Sequence, residues 1–259
     1  MSIKKENEKF ADSLIFEGMT SISAVINSPS DNDRKIVKII YDKAKESSKH
    51  KELGFLFRKA EELGFVVEAS DFENIDEITI GNSHGGIIAI CSERNIPTLS
   101  EAKDNIKPDG FYVMLEGIED PYNFGYSLRS LYAAGVDGVI LSPRNWMGAA
   151  GVVARASAGA SEMLSMYIDE NSECAEIFKS LEYKVICAGI RNSVSIYDAD
   201  MKKPVFLIIG GEKRGISASL LSQADEIVRI DYASGFKGSL SAASSAAIIG
   251  FEVMHQNNM

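Results

Sequence analysis

Cysteine is scarce in this chain of 259 residues: Cys91, Cys174 and Cys187 are its only three, an odd number without close pairing. Disulfide frameworks and zinc sites rest on even or closely spaced sets, so neither is expected, and a reducing, cytoplasmic setting fits best. Histidine is equally thin, with His50, His84 and His255, and no metal is expected. No apolar run reaches the roughly 18 residues of a membrane-spanning helix, and Met1 to Lys9 is charged with no signal-peptide core behind it. A soluble protein with no membrane partner is therefore expected. Positive charge is not in excess, since 27 Lys and Arg face 37 Asp and Glu for a net charge of -10. The deficit is even, with 14 basic and 19 acidic residues in 1–105 and 13 and 18 in 106–259. This argues against indiscriminate nucleic-acid binding through a large positive field and leaves room for a local basic site.

The chain is long enough for one large or two modest domains, and its 45% hydrophobic content supports real cores. No internal repeat is present. Helix is expected from Glu8 to Leu14 and again up to Ile26, with a strand over Ile36–Tyr41. In His50–Gly64 the apolar positions Leu53, Leu56, Phe57, Ala60 and Leu63 recur at helical spacing, and Gly64 ends the helix before the strand Phe65–Val67. A helix near Phe72–Ile78 precedes Gly81 to Gly86 and the apolar strand Ile87–Cys91. The polar, proline-bearing stretch 92–108 reads as a boundary, giving a domain at 1–97, a linker at 98–108 and a second domain at 109–259. In that second domain strands and helices alternate: Phe111–Leu115, a helix through Arg129, Gly138–Leu141, helix around Trp146–Arg155, strand near Leu164–Tyr167, helix Ser172–Leu181, Lys184–Cys187, Val205–Ile209, a helix after Ser217, Glu226–Ile230 and a last helix from about Ser241 to His255. Such alternation implies an α/β fold with a parallel sheet covered on both faces.

The most informative segment is Asp120-Pro121-Tyr122-Asn123-Phe124-Gly125-Tyr126-Ser127-Leu128-Arg129, which sets an asparagine, a glycine and an arginine at fixed offsets across one helix that stops at Gly135. Arg129 reads two ways, as a planar fork for phosphate or as a solvated surface charge. Three more clusters are expected at strand ends, where open α/β sheets place ligands: Ser157-Ala158-Gly159-Ala160, Gly210-Gly211-Glu212-Lys213-Arg214-Gly215-Ile216-Ser217, and Ser234-Gly235-Phe236-Lys237-Gly238-Ser239-Leu240-Ser241. Each alone is compatible with a structural turn. The second is neither a dinucleotide fingerprint nor a GxxxxGK[ST] phosphate loop.

In this order the clusters resemble the successive motifs of the SpoU-type (TrmH-like) RNA 2'-O-methyltransferases of the SPOUT superfamily, over about residues 110–255. The first part resembles the ribosomal-protein-like substrate-binding domain of many members, through Phe16-Glu17-Gly18 and Ser83-His84-Gly85-Gly86-Ile87-Ile88-Ala89. The resemblance implies a C-terminal SPOUT domain with a parallel sheet and a deep trefoil knot, a feature physical priors would not propose, plus a smaller N-terminal α/β domain that selects RNA. It implies S-adenosyl-L-methionine as cofactor, a homodimer in which both subunits can build each site, and transfer of a methyl group to a ribose hydroxyl.

By motif position, Ala188, Gly210, Gly211, Ile230, Leu240 and Ser241 are expected at the cofactor, the glycines, Ile230 and Leu240 largely through backbone groups. Arg129, Asn123, Glu212 and Ser239 are expected in catalysis. A guanidinium is too basic to give up its proton easily, so Arg129 is read as gripping an RNA phosphate or stabilising developing oxyanion charge; Asn123 and Ser239 would orient RNA or the arginine, and Glu212 would fix loop amides or help build the site. Arg144, Lys213, Arg214 and His84 are candidate RNA contacts, each against a bland alternative of solvated charge or, for His84, a turn-stabilising role. Trp146 reads as a packed residue or a base-stacking one. Two positions depart from the family pattern: Ser241 replaces an asparagine and Asp231 a proline, the latter read as capping a turn. Ribosomal RNA is the expected substrate, with transfer RNA or a catalytically weak binding module of the same fold as alternatives. A small-molecule or dinucleotide enzyme would need a glycine-rich turn after its first strand with an acidic partner downstream, and neither occurs.

Overall fold

A computed structural model describes residues 14–79, 84–143, 149–169 and 173–258. In chain order the strands and α-helices are β1 (Ile15–Glu17), α1 (Gly18–Ile26), β2 (Ile36–Asp42), α2 (His50–Leu63), β3 (Val66–Ser70), α3 (Phe72–Ile78), β4 (Ile87–Cys91), β5 (Phe111–Glu116), α4 (Pro121–Ala133), β6 (Gly138–Leu141), α5 (Ala150–Ala156), α6 (Ala160–Met163), β7 (Ser165–Ile168), α7 (Cys174–Ser180), β8 (Lys184–Ala188), β9 (Val194–Ser195), β10 (Val205–Gly210), α8 (Ala218–Ser222), β11 (Glu226–Arg229) and α9 (Ala242–Asn257). Residues 8–13 of the expected first helix and Trp146 lie outside the described residues, and Leu14 is in neither helix nor strand. The chain forms two compact units, one containing the described residues up to Asn95 together with 149–163, the other the remainder.

The first unit carries a four-stranded sheet in the order β1-β4-β2-β3, with β4 antiparallel to β1 and β2 and β2 parallel to β3. Its core is built from Phe16, Ile22, Val25, Ile39, Tyr41, Leu53, Leu56, Phe65, Ile87 and Ala89. Helix α2 buries Leu53 and Leu56 and stops at Gly64, whose φ of +80° is cheap only for glycine and whose N–H bonds Ala60. Short helices α5 and α6 belong to this unit because they have no apolar face to spare: Ala154 enters the core. Between them, Gly159 adopts φ +88° and passes so near α1 that a Cβ would lie 2.5 Å from the Ala24 Cβ. Ser157-Ala158-Gly159-Ala160 follows the helix that carries Arg155 and leads into another helix, so it does not lie at a strand end as expected. Its bend serves helix packing. Arg34 and Glu162, with side chains only 7% and 3% exposed, pair at 2.9 Å, and Asn32 Nδ2 donates to the same carboxylate at 3.1 Å, so the buried charges are mutually satisfied.

The second unit is a seven-stranded parallel sheet in the order β7-β6-β5-β10-β8-β11-β9. Its central strands are apolar on both faces, as a doubly covered sheet requires: Phe111 to Leu115 and Val205 to Ile209 are all buried. The stretch expected as linker is part of this body. Thr98 bridges Ile168, and Leu99, 1% exposed, enters the core with Ala102, Ile106, Tyr112, Phe178 and Phe206. Helices α4 and α9 lie against each other, and Gly250 lets them close, since a Cβ there would stand 3.1 Å from Leu131 Cδ2. Among the described residues no helix is long and apolar enough to cross a membrane.

Candidate functional site

Parallel strands align their C-terminal ends, and register fixes which loops meet. Gly210 pairs with Glu116, so the loops after β10 and β5 leave the sheet side by side; Ile208 pairs with Cys187 and Val228 with Ala188, which brings in the ends of β8 and β11. Open α/β sheets bind ligands outside this edge.

The β5 and β10 loops are laced together. Gly211 N–H donates to the Glu116 carbonyl at 2.6 Å, Ser217 N–H to Glu116 Oε2 at 2.9 Å, and Gly215 N–H back to the Gly211 carbonyl at 2.9 Å. A Cβ on Gly210 would sit 2.6 Å from Ile216 N, and one on Gly211 2.5 Å from the Gly117 carbonyl carbon and nearer still to its oxygen. Both glycines are thus demanded by backbone crowding.

Asp120 caps α4 by accepting the Asn123 N–H at 2.9 Å, with Pro121 in the first turn, where its missing N–H costs nothing. The cap orients Asn123, whose Nδ2 donates to Glu212 Oε1 at 3.2 Å across the two loops. Gly117, Glu119, Asp120, Asn123, Glu212 and Lys213 line a small cleft of about 100 Å³. Two of the expected catalytic residues are therefore joined by a direct hydrogen bond.

A larger cleft of about 500 Å³ is lined by Tyr197, Ile230, Asp231, Tyr232, Phe236 and Leu240 among others. It is wide open to solvent, with a mixed polar and apolar lining. Ile230 and Leu240, both expected at the cofactor, share it. Ser241 is the N-cap of α9, its Oγ accepting the Ser244 N–H at 3.1 Å, so the serine keeps the short polar acceptor a helix start requires. Asp231 is more than a turn cap: its carboxylate takes Arg229 Nε at 2.8 Å, while Arg229 Nη1 holds the Ser193 carbonyl. The Ser195 hydroxyl and then the Arg229 guanidinium hold the Asp231 carboxyl below its ordinary value. This tie fastens the end of β11 to β9.

Other expected residues fall elsewhere. Arg129 is exposed on α4, lines neither cleft and has no hydrogen-bond or ion-pair partner among the described residues. Ser239 and Arg214 are exposed, and Ala188 ends β8 beside Val228. Lys213 is exposed and pairs with Glu119 at 2.8 Å. His84 is corrected most plainly: it is 1% exposed, Nδ1 accepts the Gly86 N–H at 3.0 Å, and the ring lies 5.4 Å from that of Phe72, so the turn-stabilising alternative describes it. Arg144 lies outside the described residues. The cysteines offer no nucleophile, since burial pushes the Cys91 and Cys187 thiols up to about 12 and Cys174 higher still. Glu116, Glu119, Tyr197 and Tyr232 were missed from the sequence. Tyr232 and Phe236 could have been suspected as aromatic residues inside a Gly/Ser-rich loop.

Residues 110–251 match the model of the SpoU rRNA Methylase family. A 23S rRNA (guanosine-2'-O-)-methyltransferase, RlmB, of Shewanella oneidensis is 28% identical over 210 residues, 78% of this chain and 82% of its own. The enzyme of the same name from Xylella fastidiosa is 26% identical over 247 residues, 93% of this chain and 97% of its own. The AdoMet-bound rRNA methyltransferase from Sinorhizobium meliloti shares the fold with a TM-score of 0.75 at 24% identity, covering 97% of this chain and 90% of that one.

Proposed function

The chain belongs to the SpoU rRNA Methylase family, and from that premise we propose that it is an S-adenosyl-L-methionine-dependent RNA 2'-O-ribose methyltransferase acting on ribosomal RNA in the cytoplasm. The observation that carries the reading is that the β5, β10 and β11 loops leave the sheet at one edge, the first two joined by the bond from Asn123 to Glu212 and the third holding Ile230 and Leu240 at a cleft. The residues fit the cofactor: a cleft of about 500 Å³ has aliphatic and aromatic side chains with Asp231 and Ser234 among its walls, and the end of β10 carries glycines at 210 and 211 where a Cβ would meet backbone. Backbone groups of Gly210, Gly211, Ile230 and Leu240, with Ala188 and Ser241 nearby, would hold it. When bound, the cofactor supplies a methyl group on a sulfonium whose departure leaves a neutral thioether.

The protein's task is then the ribose hydroxyl, which hardly ionises near neutral pH, so positioning and charge stabilisation dominate. Arg129 supplies planar donors to an RNA phosphate or to the developing oxyanion. The Asp120 cap and the Glu212 carboxylate fix Asn123, which with Ser239 orients RNA. Arg144, Arg214 and Lys213 would meet phosphate, the last while still paired with Glu119.

We assign the active form to a homodimer. Arg129 lines neither cleft of its own chain, and Tyr126, Tyr132 and Phe251 leave apolar surface exposed on the α4 and α9 helices, a surface that suits a second copy. A trefoil knot through the β10 and β11 loops and an RNA-selecting role for the first hundred residues belong to the same proposal. The test is methyl transfer from tritiated S-adenosyl-L-methionine to ribosomal RNA and, separately, transfer RNA. Arg129→Ala should lower transfer by about 10²–10³-fold, the loss typical of removing one charge-stabilising donor, with cofactor affinity within about twofold. Transfer unchanged by the substitution removes Arg129 from the mechanism, and no transfer by the wild-type chain to either RNA defeats the reading.

A further inference from the structure

Every residue from Asp231 to Ser239 is exposed, yet this segment is folded upon itself. Tyr232 and Phe236 place their rings 5.8 Å apart, and Phe236 lies over Gly238 so tightly that a Cβ there would stand 2.6 Å from its ring. The two ends are closed by one side-chain bond, from Leu240 N–H to the Tyr232 hydroxyl at 3.1 Å. Tyr232, Phe236 and Leu240 all line the 500 Å³ cleft. Leu240 is also the last residue before the α9 cap, and no helical carbonyl is in place to take its N–H.

We infer that Tyr232 is a positioning residue that sets cofactor affinity: its hydroxyl occupies the Leu240 N–H, and the bound cofactor must take that donor in exchange. This rests on the reading above that Leu240 meets the cofactor through its backbone. The free enzyme is stabilised by a bond that the complex lacks, so the affinity is reduced by the net worth of that bond. Removing the hydroxyl while keeping the ring removes the competitor without changing the wall of the cleft.

The experiment is calorimetric titration of the full chain with S-adenosylhomocysteine, comparing wild type with Tyr232→Phe. The variant should bind about twofold to tenfold more tightly, the factor corresponding to one net neutral hydrogen bond. In turnover it should lower KM for S-adenosyl-L-methionine without raising kcat. A purely structural role would instead weaken binding; the melting temperature should fall slightly on either reading, by no more than the net worth of the one bond removed, so the direction of the affinity change separates the two. Unchanged or weaker affinity in Tyr232→Phe, with the wild type binding normally, overturns the latch alone. A wild-type chain that binds neither compound overturns the cofactor reading and the latch together.

Discussion

Gly211→Ala gives the sharpest test of the lacing between the β5 and β10 loops. Gly211 does not adopt a positive φ, so alanine is unstrained at its own backbone and the whole effect is contact. The added methyl would stand 2.5 Å from the Gly117 carbonyl carbon and 3.0 Å from Ile118 N, both backbone atoms that cannot rotate away. Ordinary carbon contacts begin near 3.5 Å, so the two loops must separate by about 1 Å. That separation strains the 2.6 Å bond from Gly211 N–H to Glu116. Overpacking costs about 1–3 kcal/mol and a lost backbone hydrogen bond about 1 kcal/mol, giving about 3 kcal/mol. For a body of this size each kcal/mol moves Tm by about 2–4 °C, so scanning calorimetry should show the second unit melting about 6–12 °C lower. Cofactor affinity should fall with it, as Glu212 is carried away from Asn123. Gly235→Ala is the control: its Cβ meets nothing within 4 Å, and the variant should match the wild type or gain about 0.4–1 kcal/mol through a stiffer unfolded chain. Gly211→Ala melting within about 2 °C of wild type would refute the steric argument.

Asp120→Ala removes the α4 cap on the Asn123 N–H and should cost about 1 kcal/mol, seen as a drop of about 2–4 °C in Tm; Asp120→Asn, another good cap, should recover most of it, and a Tm unmoved by the alanine variant would count against the cap. Asp231→Asn probes the tie from β11 to β9. The Asp231 carboxyl is held below its ordinary 3.8 by Ser195 and Arg229, so its contribution is present above that value and disappears as pH falls through the lower folded one. The gap in stability between wild type and variant should thus be constant near neutrality and vanish at the acid end of a pH series of denaturant unfolding curves. A gap undiminished in acid would mean that the carboxylate charge is irrelevant to it.

What could be read in the chain follows the physics of each element. The central strands announced themselves because a doubly covered parallel sheet needs unbroken apolar runs, as in Phe111–Leu115 and Val205–Ile209. Helix α2 was legible from its 3.6-residue period and its closing Gly64. Strands β1 and β9 were not, since Ile15–Glu17 and Val194–Ser195 are too short to show a period and exist through pairing with β4 and β11. The linker misled because its polar residues outnumber Leu99, Ala102 and Ile106, although their spacing of three and four was a helical signal in plain view.

The site shows the same division between local and non-local information. A cap is a local device, so Asp120 and Asn123 could be placed from Asp-Pro-x-Asn alone, whereas the bond from Asn123 to Glu212 spans 89 residues and is created by strand register. Gly159 and Gly211 each sit in a glycine-bearing bend, but one opens space for helix α1 and the other for the carbonyl of Gly117. A glycine records that something comes close without recording what. His84 is the parallel case for a side chain: Ser-His-Gly-Gly is compatible with an outward ring that reads RNA and with an inward ring that accepts the Gly86 N–H, and the apolar neighbour Phe72, twelve residues earlier, decides for the second. Hence three of the glycine-bearing bends follow strands of one parallel sheet and leave it at the same edge, whereas the fourth, at Ser157–Ala160, follows a helix of the other unit.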